Sequence, residues 1–188
     1  MTKSVDLIKD IKKRALKLLP VIFAASGFCA GALVRFIVPS GVWSLPAPDM
    51  TSAFLAESPL AAVIDCLSGE LKYVLLIYLL GYCAFGGAAP SAVAAFRAAL
   101  AGYSAAYMLD GRYGVTVYFA HTGVSIFVLM LYCALAASSA EHSRSLFGGG
   151  EGKRESGALS YTARCLFFTG IIFAALMIRQ LLLAFIHA

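Results

Sequence analysis

The sequence predicts an all-α integral membrane protein with about five transmembrane helices. Of its 188 residues, 61% are hydrophobic and 13% are charged, whereas an ordinary soluble domain is about 45–50% apolar and about 25% charged. The mean hydropathy is +0.84, and several apolar stretches approach the roughly 20 residues that a helix needs to cross a bilayer. Lipid is therefore the expected solvent for most of the chain.

The first element is a basic amphipathic helix over residues 1–19. Leu7, Ile8, Ile11 and Leu18 recur at helical spacing with lysines around them, a pattern typical of a helix that lies on an anionic membrane surface. We treat 1–19 as a cytoplasmic segment and 20–188 as a single transmembrane domain. The first span, 20–38, is longer than the roughly 7–15 residues of a signal-peptide core, so we expect it to be retained.

A connecting segment follows over residues 39–70. Four residues there break a helix: Pro39, Gly41, Pro46 and Pro48. The pair Ser58-Pro59 then favours a new helix start, and Leu60, Val63, Ile64 and Leu67 repeat along one face. These features predict a short extracytoplasmic amphipathic helix that either lies on the outer membrane surface or packs over the bundle; whether the segment is re-entrant stays open.

The remaining spans are predicted at 71–87, 89–109, 113–138 and 164–186. The first two are joined through Gly86, Gly87 and Pro90, and the next two through Asp110-Gly111-Arg112. Residues 141–160 are polar and contain Gly148-Gly149-Gly150, which predicts a long flexible loop before the last span.

The basic residues predict the orientation, because Lys and Arg are enriched in cytoplasmic loops. With the N-terminus inside and the C-terminus outside, Lys72 and Arg112 face the outer side and three arginines lie within spans. The other ten basic residues are cytoplasmic: Lys3, Lys9, Lys12, Lys13, Arg14, Lys17, Arg144, Lys153, Arg154 and Arg164. We expect a multi-pass protein of a bacterial cell membrane.

Ionisable groups inside spans are costly and are candidate functional residues. Arg97, His121 and Arg179 fall in predicted spans, whereas Arg35 is close enough to a span end to reach the interface. The buried cations either form structural ion pairs or line a pathway for a solute. Their nearest candidate counter-charges are the acids predicted to face the outer side: Asp65, Glu70 and Asp110.

No catalytic, cofactor-binding or metal-binding residues are predicted. His121 and Ser125 share a helix face, but the surrounding residues do not form the turn of a serine hydrolase. No second histidine or carboxylate stands at metal-ligand spacing, and the five cysteines lack paired spacing. Nucleic-acid binding is not expected, since no basic segment is interleaved with aromatic residues. The oligomeric state stays open.

Small residues predict close helix packing. Gly27 and Gly31 form a GxxxG motif in the first span, and Ala98 and Gly102 belong to a small-residue ridge in the third. Such residues allow backbones to approach within a membrane. Packing within the chain and packing against a partner helix are both compatible with this pattern.

Residues 70–139 resemble the stage II sporulation protein M family of multi-spanning membrane proteins. The similarity lies in Leu71-Lys72-Tyr73, Leu79-Leu80-Gly81, Gly86, Pro90 and Phe96-Arg97. Gly102 matches a family glycine, whereas Ala98 replaces an earlier one. Of a Pro-His-Gly then Glu signature in the next span, only His121 is kept.

This resemblance implies a membrane scaffold or anchor rather than an enzyme. It would recruit membrane-associated cell-wall hydrolases that remodel peptidoglycan while a forespore is engulfed during sporulation. In that case, the outer segment 39–70 and the Asp110 turn would present the binding surface. The alternative is a small membrane transporter or the membrane subunit of a transport complex, in which Arg97, His121 or Arg179 would line a water-accessible cavity.

Overall fold

The computed structural model describes residues 2–37, 59–84, 88–109, 114–147 and 154–187. These ranges form five α-helices and contain no β-strand. We name the helices in chain order: α1 Thr2–Ile37, α2 Pro59–Leu80, α3 Ala89–Leu109, α4 Val115–Phe147 and α5 Arg154–His187.

The helices form an up-and-down bundle in which consecutive helices run antiparallel. Contacts fix the directions: Tyr132 of α4 reaches Glu70 and Ser139 reaches Ile77, so α2 and α4 are parallel. Tyr78 of α2 meets Thr162 of α5, so α2 and α5 are antiparallel. We call the end where α2 stops the Gly81 end, and the end where α4 starts the Gly114 end.

Four helical segments among the described residues are long and apolar enough to cross a membrane. They are Leu18–Ile37, Ala89–Leu109, Val115–Phe147 and Gly157–Leu183, with mean hydropathies of 1.8, 1.3, 1.9 and 2.1. Large apolar side chains such as Phe36, Phe119 and Leu166 point out of the bundle, as expected for helices whose solvent is lipid. The protein is thus an all-α, multi-pass membrane protein in its described parts.

Helix α2 differs from the two separate elements that the sequence predicted. One helix, Pro59–Leu80, replaces both the surface helix ending near Glu70 and the span 71–87. Its carbonyl groups near the Gly81 end are bound by other helices: Ser139 Oγ donates to Ile77 O at 2.9 Å, and Tyr161 Oη donates to Tyr78 O at 3.0 Å. Backbone N–H groups of Gly81, Tyr82 and Cys83 bind the carbonyl groups of the last turn as well, so the end of the helix is satisfied at Leu80.

The polar loop predicted over 141–160 is also shorter than expected. Helix α4 continues to Phe147 and α5 starts at Arg154. The extension of α4 is held by two contacts: the rings of His142 and Tyr161 stack with centroids 4.2 Å apart, and Ser143 Oγ donates to Cys83 O at 2.7 Å. The polar residues are therefore helical because they pack against α5 and the end of α2.

Helix α1 is continuous across the predicted boundary between residues 1–19 and 20–38. Pro20 lies inside it, where its missing N–H leaves one backbone carbonyl of the preceding turn without its usual bond. The Cys133 thiol of α4 donates to the carbonyl oxygen of Pro20 at 3.5 Å. Helix α1 packs on α3 and α4, whereas the main apolar core lies among α2, α3, α4 and α5 and includes the fully buried Ile77, Leu135 and Ile172.

Candidate functional site

The most distinctive site is an ion pair buried in the middle of the bundle. Arg97 of α3 and Glu70 of α2 are only 3% and 2% exposed. Arg97 Nε lies 2.8 Å from Oε1 and 2.9 Å from Oε2 of Glu70, and Arg97 Nη2 also binds Oε1. The guanidinium therefore donates through two nitrogens to one carboxylate, the geometry in which a charge-assisted pair is strongest.

Tyr132 of α4 completes this pair. Its hydroxyl donates to Glu70 Oε2 at 2.6 Å and lies 3.2 Å from the backbone oxygen of Glu70. Tyr132 itself is fully buried. The network joins three helices, and its net charge is zero when both partners are ionised.

The position of Glu70 explains why a charge is tolerated there. Glu70 is the twelfth residue of the 22-residue helix α2, so about 15 Å of helix separates it from either end. A carboxylate at that depth needs a partner, because an isolated buried charge costs many kcal/mol. The sequence placed Glu70 with the outer acids, and its place inside the bundle corrects that expectation.

Arg179 of α5 is fully buried, closer to the Gly114 end. Its Nη2 donates to the Cys66 sulfur of α2 at 3.0 Å. Of the three acids expected near it, Glu70 is bound by Arg97, Asp65 is exposed, and Asp110 lies outside the described residues. Arg97 thus binds Glu70, and Arg179 binds Cys66, one helical turn earlier on α2.

His121 and Ser125 both point into the bundle from α4, with 0% and 4% exposure. Within the described ranges, Ser125 Oγ makes no hydrogen bond, so His121 does not activate it. An acyl-transfer site needs that bond. Three or more metal-ligand side chains do not occur together in the same ranges.

The small residues of α1 and α3 lie at a close helix contact. A Cβ atom built on Gly27 would overlap the carbonyl oxygen of Ala95, one on Gly31 would overlap that of Ala99, and one on Gly102 would overlap that of Phe28. Ala98 is fully buried in the same contact. All four predicted packing residues thus face the α1–α3 contact. Near the Gly114 end, the Arg35 guanidinium lies 5.3 Å from the ring centre of Tyr107.

Two apolar grooves lie at the surface of the described part of the bundle. A groove of about 350 Å³ between α1 and α4 is lined only by apolar residues. A second, of about 300 Å³ between α2 and α5, is lined by leucine and valine together with one tyrosine, one cysteine and two threonines. Neither groove includes Glu70, Arg97 or Arg179.

Sequence reasoning found the cations of these sites but missed most of their partners. Arg97 was a candidate because it lies in an apolar stretch, and Glu70 was named only as one of three acids. Tyr132 and Cys66 carry no signal in the sequence, since tyrosine and cysteine are ordinary residues of a membrane span. The charged residue within an apolar stretch was the feature that the sequence made detectable, and its partner was not.

No family model matches the chain, and neither the curated proteins nor the solved structures contain a significant match to it. The candidate site is therefore described only by the contacts between residues of this chain.

Proposed function

We propose that this protein is an integral membrane scaffold that holds a peptidoglycan-remodelling partner at a bacterial cell membrane, the role that its resemblance to the stage II sporulation protein M family implies. The observation that favours a scaffold is the Glu70–Arg97–Tyr132 network, which joins α2, α3 and α4 in mid-bundle. Both charges are used in binding each other, so they support rigidity better than they support the passage of a solute.

We further propose that α2 is the fifth span. It carries three charged residues, Asp65, Glu70 and Lys72, and is not among the four segments named above. Its 22 residues extend about 33 Å, close to the roughly 30 Å of a hydrocarbon core. Two charges lie in its middle: Glu70 is neutralised by Arg97, and the exposed Lys72 has its ammonium nitrogen 5.1 Å from the ring centre of Tyr73.

The orientation that fits this proposal has the Gly81 end in the cytoplasm. The exposed arginines Arg144 and Arg164 lie near that end, in keeping with the ten-to-two distribution of basic residues. The partner would then be bound on the other side, by residues 39–58 and the Asp110 turn. Both of these segments lie outside the described residues.

The test is co-purification of the tagged full chain from its native membranes after brief cross-linking. We expect a membrane-associated wall hydrolase to be recovered with the chain. Replacement of residues 39–58 by a Gly/Ser linker of equal length should abolish its recovery. The matched control replaces 148–153 on the opposite side and should leave recovery unchanged. Recovery that is equal in both variants would contradict the assigned binding surface, and absence of any wall hydrolase would contradict the function.

The alternative is a small transporter or the membrane subunit of a transport complex. One observation favours it: several polar side chains near the Gly114 half are buried, among them His121, Arg179 and Gln180. In proteoliposomes, alanine replacement of Arg97, His121 or Arg179 would then abolish solute uptake. Uptake that is absent in the unmodified protein, or unchanged in all three variants, removes this alternative.

A further inference from the structure

A small polar pocket lies between α4 and α5 at the Gly81 end. Its volume is about 150 Å³, room for about five water molecules at their liquid volume. Unlike the two apolar grooves, it is lined almost entirely by polar side chains, including Ser138, Glu141, His142, Ser160 and Arg164. The polar groups of these residues can bind a polar ligand, and their carbon atoms form the rest of the wall.

Two of these side chains have unused hydrogen-bonding capacity. His142 is only 6% exposed, and its Nε2 is buried without a hydrogen-bond partner among the described residues, as is Ser138 Oγ. The His142 ring is held in place by Tyr161, which stacks on it at 4.2 Å, and by Tyr82, whose ring meets it edge-on at 5.0 Å. Buried polar groups are normally satisfied, so a fixed imidazole without a partner indicates that a ligand or water completes it.

The pocket lies where the surface changes from polar to apolar. Exposed Glu141 and Arg164 line it, and Leu166 and Phe167, only two and three residues beyond Arg164, are 68% and 65% exposed. Tyr78, Tyr82 and Tyr161 cluster at the same end, and tyrosines are enriched at membrane–water interfaces. The pocket is therefore at the depth of lipid headgroups and is partly open to the side.

Its charges fit one headgroup better than others. Arg164, the serine hydroxyls and the first turn of α5 supply donors for a phosphate group. Glu141 on α4 supplies a carboxylate that repels a purely anionic ligand and attracts an ammonium group. We propose that the pocket binds the headgroup of an ethanolamine phospholipid, with the phosphate near Arg164 and the ammonium near Glu141. This proposal does not depend on the scaffold function.

The chain offers a matched pair of variants. Gly157 lines the pocket, and a Cβ built on it meets no atom within 4 Å. Gly157→Leu would therefore fill the pocket without displacing a neighbour. Gly170 lies on the same helix, is exposed and is equally unobstructed, so Gly170→Leu adds the same side chain outside the pocket.

The test is native mass spectrometry of the full chain in mild detergent with equal amounts of phosphatidylethanolamine and phosphatidylglycerol. We expect preferential retention of the ethanolamine lipid and about a tenfold loss of its binding in Gly157→Leu, a change of about 1.4 kcal/mol. Gly170→Leu should bind like the unmodified protein. Arg164→Gln should weaken binding of both lipids, whereas Glu141→Gln should shift the preference toward phosphatidylglycerol.

Several outcomes would overturn the proposal. Equal retention of both lipids by the unmodified protein would exclude headgroup recognition, and equal loss in the two leucine variants would exclude the pocket. Displacement of the lipid by millimolar inorganic phosphate would identify the site as one for a free phosphate. Arg164 and Glu141 are exposed, so their variants are expected to fold. They keep the test decisive even when the Gly157→Leu variant fails to fold.

Discussion

At the scale of single residues, the Glu70–Arg97 pair shows how this chain accommodates charge among apolar helices. Two ions in a low-dielectric interior are costly to desolvate, and their attraction repays that cost only with good geometry and further hydrogen bonds. Here Arg97 supplies two donor nitrogens and Tyr132 a third donor. Replacement of Glu70 or Arg97 alone should therefore lower the stability of the fold more than replacement of both together.

We predict that Glu70→Leu lowers the free energy of unfolding by about 3–5 kcal/mol, because it leaves the Arg97 cation buried without its carboxylate. The double variant Glu70→Leu/Arg97→Met should recover most of the loss, since an apolar pair of similar volume replaces both ions. Thermal unfolding of the purified chain in detergent measures both. A double variant as unstable as Glu70→Leu would show that the charges are not coupled.

At the scale of helices, α1 and α3 are held by backbone proximity that only small residues permit. Gly27, Gly31 and Gly102 each face a carbonyl oxygen of the opposite helix. Close approach of this kind replaces the hydrophobic effect, which does not act between helices in lipid. Since α1 contacts only α3 and α4 among the described helices, its position depends strongly on these residues.

We therefore predict that Gly31→Leu separates α1 from α3. Its side chain would overlap the Ala99 carbonyl, and a backbone atom cannot move aside as a side chain can. Cross-linking between cysteines placed at Arg35 and Tyr107, which lie in contact near the Gly114 end, should fall by about an order of magnitude. Gly123→Leu, at an unobstructed exposed position of α4, should leave cross-linking unchanged.

Helix existence was predictable from the sequence, whereas helix ends were not. Long apolar stretches predicted α3 and the apolar parts of α1, α4 and α5. Carbonyl groups at the end of α2 are bound by Ser139 and Tyr161, residues 59 and 81 positions beyond Leu80. No local pattern near Leu80 contains that information. The same reason applies to the helical residues of α4 beyond 140, which looked like a loop because their contacts are with α5.

At the scale of the whole molecule, the alternation of helix directions places the two connections of α4 at opposite ends. The α3–α4 connection lies at the Gly114 end and the α4–α5 connection lies at the Gly81 end. The sequence predicts that ten basic residues lie on the side of the Gly81 end and two on the other side. A charge asymmetry of this kind sets how a membrane protein inserts.

We predict that single cysteines at Asp110 and Lys153 react with a membrane-impermeant maleimide from opposite sides of the membrane. Asp110→Cys should be labelled in intact spheroplasts, and Lys153→Cys only after permeabilisation. Native Cys83 is exposed at the Gly81 end, so it should be labelled together with Lys153→Cys and must be replaced in the test background. Labelling of both introduced cysteines from one side would contradict the alternating arrangement.

The burial of Glu70 also has a consequence for biogenesis. If α2 is the fifth span, as proposed, its carboxylate reaches the membrane at the centre of that span while its counter-charge, 27 residues later in the chain, is still inside the ribosome. A charged residue at a helix centre opposes insertion by about 2.5–3.5 kcal/mol on translocon scales. We predict that a chain truncated after residue 88 integrates α2 poorly, whereas a chain truncated after residue 112 integrates α2 and α3 together. With Glu70→Leu, α2 should integrate equally well in both truncated chains. Glycosylation mapping in microsomes measures each step, and efficient integration of α2 in the shorter chain would show that the two helices enter the bilayer independently.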